Sequence, residues 1–421
     1  MTNEEKTSID AIDNRPDALL LGENEVSEQS CIGCFPDLSE KDRPLNTTDN
    51  ISHLLNHFNI KIKYNLMTNL PEFSDGHKAF SSENEADCFF TEISNLCVKN
   101  GVPKIDLYNH INLISERNRY HPAIEFIESK PWDGVSRIND LLETVSSSKQ
   151  ELANKLIYRW LISCVAALYL PEGIASEGAL VFQGKQKIGK TYWLLKLLPT
   201  SHRNLVKEGV SMSVTNKDDV IKSTNVWIAE LGEIESTFKK SDVNELKNFI
   251  TSSYDEYRAP FGRFSKKYWR RTVFYGSVNS QHFLADETGN RRFWTVPVTH
   301  INYDHTINMQ QLWAEIKTLY DEGETYRLTS LEQKLLNESN KDHECINPLK
   351  ELLFNNYHWE SLNRQWMTPT QIIQEMDLVA DKIKTNNLAN ILREENIESR
   401  KSNRGTQYLI PYKKSPNLNF Q

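Results

Sequence analysis

Gly184-Lys185-Gln186-Lys187-Ile188-Gly189-Lys190-Thr191 follows the apolar run Ala179-Leu180-Val181-Phe182 and leads into Tyr192-Trp193-Leu194-Leu195-Lys196-Leu197-Leu198, which stops at Pro199. The octet fits G-x-x-x-x-G-K-[ST], a pattern with a mechanism only between a strand and a helix. Here the apolar run reads as a buried strand and the stretch after the loop as a helix. Such a loop aims backbone N–H groups and the positive end of a helix at a phosphate chain. The glycines permit close backbone approach, Lys190 supplies a point charge to the outer phosphates, and Thr191 offers a hydroxyl to magnesium. The expectation is a nucleoside triphosphate site formed by residues 184–191, with ATP and Mg2+ as cofactors.

Two further strand tips extend this site. Thr224-Asn225-Val226-Trp227-Ile228-Ala229-Glu230 reads as a core strand ending in a carboxylate, the expected partner of magnesium or of attacking water. Glu233 lies three residues on; it either shares that work or is a helix-start or surface carboxylate. Val273-Phe274-Tyr275-Gly276-Ser277-Val278 ends in Asn279, an amide suited to positioning water beside a terminal phosphate, though asparagine also favours turns for backbone reasons. Arg291 and Arg292 precede the apolar Phe293-Trp294-Thr295-Val296. One of them is expected to supply a transition-state cation, within the subunit or across an interface; the other reading is ordinary surface charge.

Length and composition bound the rest. The chain has 421 residues, enough for two or three domains, with 38% hydrophobic residues and a net charge of −8. Residues 1–48 carry 11 acids against 4 bases, while the remainder holds 46 against 45, so the acidity belongs to the tail. That tail lacks a hydrophobic period and is expected to be disordered. No apolar run reaches the roughly 20 residues needed to span a bilayer, and the polar start resembles no targeting segment. The expected location is cytoplasmic, without a membrane partner. Six scattered cysteines suit reduced thiols, and the single close pair, Cys31 and Cys34, falls short of a zinc set. The expected divisions are a tail (1–48), an N-terminal accessory domain (49–150), the nucleotide-binding core (151–300), a helical segment (301–358) and a small C-terminal domain (359–421).

Two segments suit nucleic acid. Between the second and third strand tips, residues 257–271 hold Arg258, Arg263, Lys266, Lys267, Arg270 and Arg271 among aromatics, with no acid. Cations neutralise phosphates and rings stack on bases, so single-strand contact is expected. The other reading is a solvated hairpin whose aromatics, Phe264 and Trp269 among them, cover the edge of the core. Near the C-terminus, a capped helix start at Thr368, a second helix near residues 385–395, and a basic strand–turn–strand carrying Arg400, Lys401 and Arg404 form the pattern of a winged helix-turn-helix. Such units also serve as protein-interaction modules. The fold class expected is α/β, with a mainly helical N-terminal domain and this winged unit at the C-terminus.

With Lys130-Pro131-Trp132-Asp133-Gly134 to Arg137, Gly184 to Thr191, Trp227 to Glu233, Tyr257 to Gly262, Gly276 to Asn279 and Gly289 to Trp294 in that order, the chain resembles the virulence-associated E family of phages, satellites and genomic islands. That family is similar to superfamily 3 helicases of the AAA+ class. The resemblance spans about residues 120–298. It implies a homo-hexameric ring that hydrolyses ATP at subunit interfaces and melts or tracks along DNA during mobile-element replication, in concert with host replication proteins. The N-terminal part lacks an evident primase acid set, so no primase activity is expected. The alternative is an origin-binding initiator or regulator that uses ATP as an assembly switch. A small-molecule kinase is a weaker third option.

Overall fold

The computed structural model describes residues 35–74, 84–103, 106–210, 217–232, 243–258, 264–284, 290–344, 348–379, 381–403 and 405–413. Cys31, Cys34, Glu233, Arg263 and Arg404 fall outside them. The described residues divide into two compact units, one drawn from Met1–Tyr64 and Pro71–Arg119, the other from Asn65–Leu70 and Tyr120–Gln421.

The first unit contains α1 (Thr48–His57), β1 (Lys61–Asn65), β2 (Leu70–Ser74), α2 (Glu85–Lys99) and α3 (Leu107–Glu116), with β3 (Arg119–Tyr120) at its end. The strands form a sheet in the order β2-β1-β3. Its core gathers Ile51, Leu54, Ile62, Phe73, Phe89, Ile93 and Ile111. The apolar positions of α2 recur at helical spacing, so Phe89, Ile93 and Cys97 are buried along one stripe.

The second unit runs α4 (Pro122–Ile127), α5 (Ile138–Glu143), β4 (Val145–Ser147), α6 (Gln150–Tyr169), β5 (Ala179–Gln183), α7 (Lys190–Lys196), β6 (Val206–Val210), α8 (Lys217–Thr224), β7 (Ile228–Leu231), α9 (Val243–Thr251), β8 (Tyr254–Tyr257), β9 (Lys266–Trp269), β10 (Val273–Val278) and β11 (Phe293–Ile301). It continues through α10 (Met309–Asp321), α11 (Ser330–Asn340) and α12 (Pro348–Asn356) to β12 (Arg364–Met367), α13 (Pro369–Glu375), α14 (Lys382–Glu394), β13 (Ser399–Ser402) and β14 (Gly405–Pro411). A six-stranded sheet in the order β4-β11-β5-β10-β7-β6 forms its centre. Every neighbouring pair in it is parallel except β4 with β11. This is a mixed α/β architecture.

Two-residue alternation along β5 decides which core each side chain joins. Leu180 and Phe182 enter a core with Trp160, Trp193, Trp227, Tyr275 and Trp313. Ala179 and Val181 enter a second core on the opposite face, with Ala229, Phe249, Phe274 and Phe293. Both faces are covered, as a parallel sheet requires, which is why β5 reads as a continuous apolar run. Three buried indoles in this core are satisfied as donors: Trp160 Nε1 donates to the carbonyl of Phe274 at 2.9 Å, Trp227 Nε1 to Cys164 at 2.9 Å, and Trp313 Nε1 to Leu197 at 2.8 Å. These bonds tie α6, α10 and the end of α7 to the sheet. Helix α6 is buried on nearly all sides and carries few charges after its first turns. No helix among the described residues is long and apolar enough to cross a membrane.

The C-terminal residues have their own core, with Leu353, Tyr357, Ile372, Ile373, Leu388, Leu392 and Tyr408. A three-stranded antiparallel sheet, β12-β14-β13, packs there with α13 and α14. Thr368 and Gln371 form a reciprocal capping box at the start of α13, and Asp381 caps α14.

The basic segment is an antiparallel hairpin, with β8 paired to β9 so that Glu256 lies opposite Lys267. Two expectations are corrected here. Arg270, expected to touch DNA, has a fully buried side chain. Its guanidinium forks onto the Asp255 carboxylate, donates to the carbonyl of Phe249, and lies 4.2 Å from the Phe249 ring. Arginine suits such a site because its planar fork meets a carboxylate with two bonds. Phe264, named as a core candidate, is instead 75% exposed. Arg270→Ala is expected to cost about 3–5 kcal/mol, because it strands the Asp255 charge. Lys267→Ala, which removes only an exposed cation–π contact, should cost less than about 1 kcal/mol. Chemical denaturation of the two variants beside the parent measures the contrast.

Candidate phosphate-loop site at the strand tips

Strand β5 ends at Gln183 and the chain turns through Gly184–Gly189 into α7. Gly189, the residue before the helix, takes φ +99°, a left-handed conformation that favours glycine. Gly184 is fixed by a close approach: a Cβ there would lie 2.5 Å from the carbonyl oxygen of Val298. The two glycines therefore serve different ends, one a backbone angle and the other a contact with β11.

The loop closes on its own lysine. Lys190 is 7% exposed. Its ammonium donates to the carbonyls of Gly184 at 2.6 Å and Lys185 at 2.9 Å, and to Asn279 Oδ1 at 2.9 Å. The Tyr275 hydroxyl donates to the Lys190 carbonyl at 3.0 Å, which anchors the start of α7 to β10. Thr191 Oγ1 donates to Glu230 Oε1 at 2.7 Å, and Ser277 Oγ donates to the same oxygen at 3.1 Å. Lys190, Thr191, Glu230 and Asn279 are thus brought together from α7 and the ends of β7 and β10.

Register explains the meeting. In β10, Tyr275 pairs with Glu230 of β7, and Ser277 with Phe182 of β5. Ser277 lies two residues past Tyr275 and shares its face, so its hydroxyl reaches Glu230. Ser277 was not singled out from sequence, where it reads as an ordinary strand residue. Only the pairing register shows that it faces the acid. A cavity of about 590 Å³ adjoins the loop, lined in part by Gly184, Lys185, Asn279, Lys149 and His343. Lys149, also missed from sequence, bonds Asp342 at 2.7 Å and Ser339 at 2.9 Å across this region. Its position before α6, far along the chain from the loop, carried no signal.

Arg291 and Arg292 lie elsewhere. They form a 3-10 turn with Asn290 just before β11, whose first residue, Phe293, pairs in parallel with Ala179, the first residue of β5. The turn is therefore at the opposite end of β5 from the phosphate loop, four residues or roughly 13 Å away along the strand. There it lines a separate cavity of about 430 Å³ with Asn337, Asn340, Lys341 and Glu344. The hairpin β8–β9 also precedes its sheet strand, β10. In it Lys266 and Lys267 are exposed, and the Lys267 ammonium lies 3.8 Å from the Tyr254 ring and 4.2 Å from that of Trp269. Arg258 is exposed beside it, whereas Arg271 is half-buried and donates to the Trp269 carbonyl at 3.3 Å. In the C-terminal sheet, Arg400 and Lys401 are exposed, with the Arg400 guanidinium 4.3 Å from the Trp366 ring.

The sequence model of the virulence-associated protein E-like domain matches residues 127–345, more than half of the chain. The chain belongs to the virulence-associated protein E-like family. The matched region contains the loop, both strand tips, the hairpin and the arginine turn. The family member is similar to a solved apo structure of the NrS-1 C-terminal region (305–718), with 13% identity and a TM-score of 0.43, covering 86% of this chain and 98% of that one. A second apo form of that region gives 13% identity and a TM-score of 0.48, with the same coverage. No curated protein matches the chain.

Burial at 5% exposure pushes the Glu230 carboxyl above the ordinary glutamate range, while the bonds from Thr191 and Ser277 pull it back. A carboxyl raised in the folded state favours folding most at low pH, and that contribution is lost as pH rises. Glu230→Gln, which keeps an acceptor and removes the charge, is expected to raise the melting temperature by a few degrees near neutral pH. The gain should vanish as pH falls towards 4.5, the ordinary value for the group, in a thermal-denaturation series across that range.

Proposed function

We propose that this protein is an ATP-driven DNA helicase of mobile-element replication, assembled as a ring. The observation that carries the reading is the junction of Lys190, Thr191, Glu230 and Asn279 at the carboxyl ends of adjacent parallel strands. Open α/β sheets bind ligands at that edge. The loop amides and Lys190 would hold the phosphates. The hydroxyl of Thr191 and the carboxylate of Glu230 are oxygen donors side by side, a set that fits magnesium, which prefers a few such ligands and retains its waters. When bound, ATP supplies the phosphoryl group passed to water, and magnesium neutralises its charge. The Asn279 amide, which accepts from Lys190, would orient water at the outer phosphate. Glu233 would assist as a second acid.

The position of Arg291 and Arg292 supports action in trans. At the far end of β5 they are out of reach of their own loop, so a cation from this turn would serve a neighbouring subunit's site. Catalysis would then require the ring, and a homo-hexamer is the form proposed. Exposed Lys266, Lys267 and Arg258, with Tyr254 and Trp269 interleaved, are proposed to contact single-stranded DNA. Host replication proteins remain proposed partners.

A second reading is favoured by the C-terminal sheet and helices. Two capped helices followed by a two-stranded ribbon bearing Arg400 and Lys401 suit a winged helix-turn-helix. On that reading the protein recognises an origin duplex and uses ATP mainly to assemble.

ATP hydrolysis and forked-DNA unwinding, measured together, separate the readings. DNA-stimulated hydrolysis with strand separation is expected, and Lys190→Ala should lower both by at least about a hundred-fold. Normal hydrolysis by that variant would overturn the assignment; hydrolysis without separation would favour the initiator. Replacing Lys266 and Lys267 with alanine should reduce the salt dependence of single-strand affinity by a slope of about 1–2, read from binding titrations at several salt concentrations.

A further inference from the structure

Two tyrosines stand at the mouth of the phosphate loop. Tyr192 directly follows Thr191 in the first turn of α7 and is 67% exposed. Tyr303 lies two residues beyond β11 and is 44% exposed. Their rings stack on each other with centroids 5.6 Å apart and planes inclined by 30°. Tyr303 also covers the loop itself, since a Cβ on Gly189 would lie 2.2 Å from its ring.

Stacked aromatic pairs ordinarily serve a core, where the area they bury stabilises the fold. This pair is exposed at the surface and belongs to neither core of the sheet. Among the described residues neither hydroxyl has a hydrogen-bond partner. Exposed rings in this position have a face to offer to a flat ligand. The loop has two unlike flanks. On one, the Lys190 ammonium, two loop carbonyls and Asn279 make a polar, charged surface. On the other, at the start of α7, is the tyrosine wall. A nucleoside triphosphate has the same polarity, with charged phosphates at one end and an aromatic base at the other.

We infer that Tyr192 and Tyr303 form the seat on which the base of the bound nucleotide stacks. This rests on the phosphate-loop reading above and adds to it the part of the ligand that the loop motif does not address. Stacking engages the π face that every base has, so the seat supplies affinity with little selectivity among bases.

The test compares ATP with inorganic tripolyphosphate, which has the phosphates and no base, by calorimetric titration of the full chain with magnesium. The parent is expected to bind both. Tyr303→Ala and Tyr192→Ala should each weaken ATP about ten-fold or more and leave tripolyphosphate within about two-fold. Tyr303→Phe, which keeps the ring, should restore ATP binding. Unchanged ATP affinity in both alanine variants would overturn the inference. So would an equal loss for ATP and tripolyphosphate, which would show that the rings merely brace the loop. A parent that binds neither ligand would remove the phosphate-loop reading, and the base seat with it.

Discussion

Strand β10 pairs in parallel on both its edges, and that double pairing holds the glycine-lysine loop against Glu230. Its left neighbour, β5, leads into the loop; its right neighbour, β7, carries Glu230. Parallel strands end on the same edge of a sheet, so three chain segments separated by tens of residues deliver their tips to one place. A slip of one residue in β7 would turn Glu230 to the opposite face and break its bonds to Thr191 and Ser277. In β7 itself Ile228 joins one core and Ala229 and Leu231 the other, so such a slip would also exchange the residues offered to the two faces.

Placing charge inside this scaffold has a cost that the molecule meets in two ways. Arg270 and Asp255 neutralise each other below the hairpin, with the Phe249 carbonyl and ring completing the arginine's surroundings. Glu230 has no cation bonded to it among the described residues and is held by two hydroxyls and the Gly209 backbone N–H, and burial raises its proton affinity. The first arrangement is a closed structural pair. The second leaves a buried carboxyl with hydrogen-bond donors and no paired cation among the described residues. The basic hairpin shows why composition alone misassigned Arg270: a run of cations can contain one that turns inward, and only the position of its partner carboxylate reveals which.

The loop octet, the apolar run before it and the acid- and amide-tipped strands were legible because each rests on local rules. Buried parallel strands are apolar on both faces, and a glycine before a helix can take a left-handed angle. Thr368 with Gln371 announced the start of α13 in the same local way. The inward turn of Arg270, the facing of Ser277 and the bracing by Lys149 were not legible. Each depends on a partner brought close only by folding: Asp255 across the hairpin, Glu230 through strand register, and Asp342 nearly two hundred residues away.

What the chain's sequence determined by itself is therefore the family, the glycine-lysine loop between a strand and a helix, and the apolar runs that become core strands, since these are written in short-range pattern and spacing. Tertiary structure alone decided at which end of β5 the arginine turn lies, which cation is structural, and that Tyr192 and Tyr303 meet over Gly189. The physical reason is range. Backbone conformation and hydrophobic period are set by near neighbours, whereas side-chain contact is set by strand order and register, which one segment read alone does not contain.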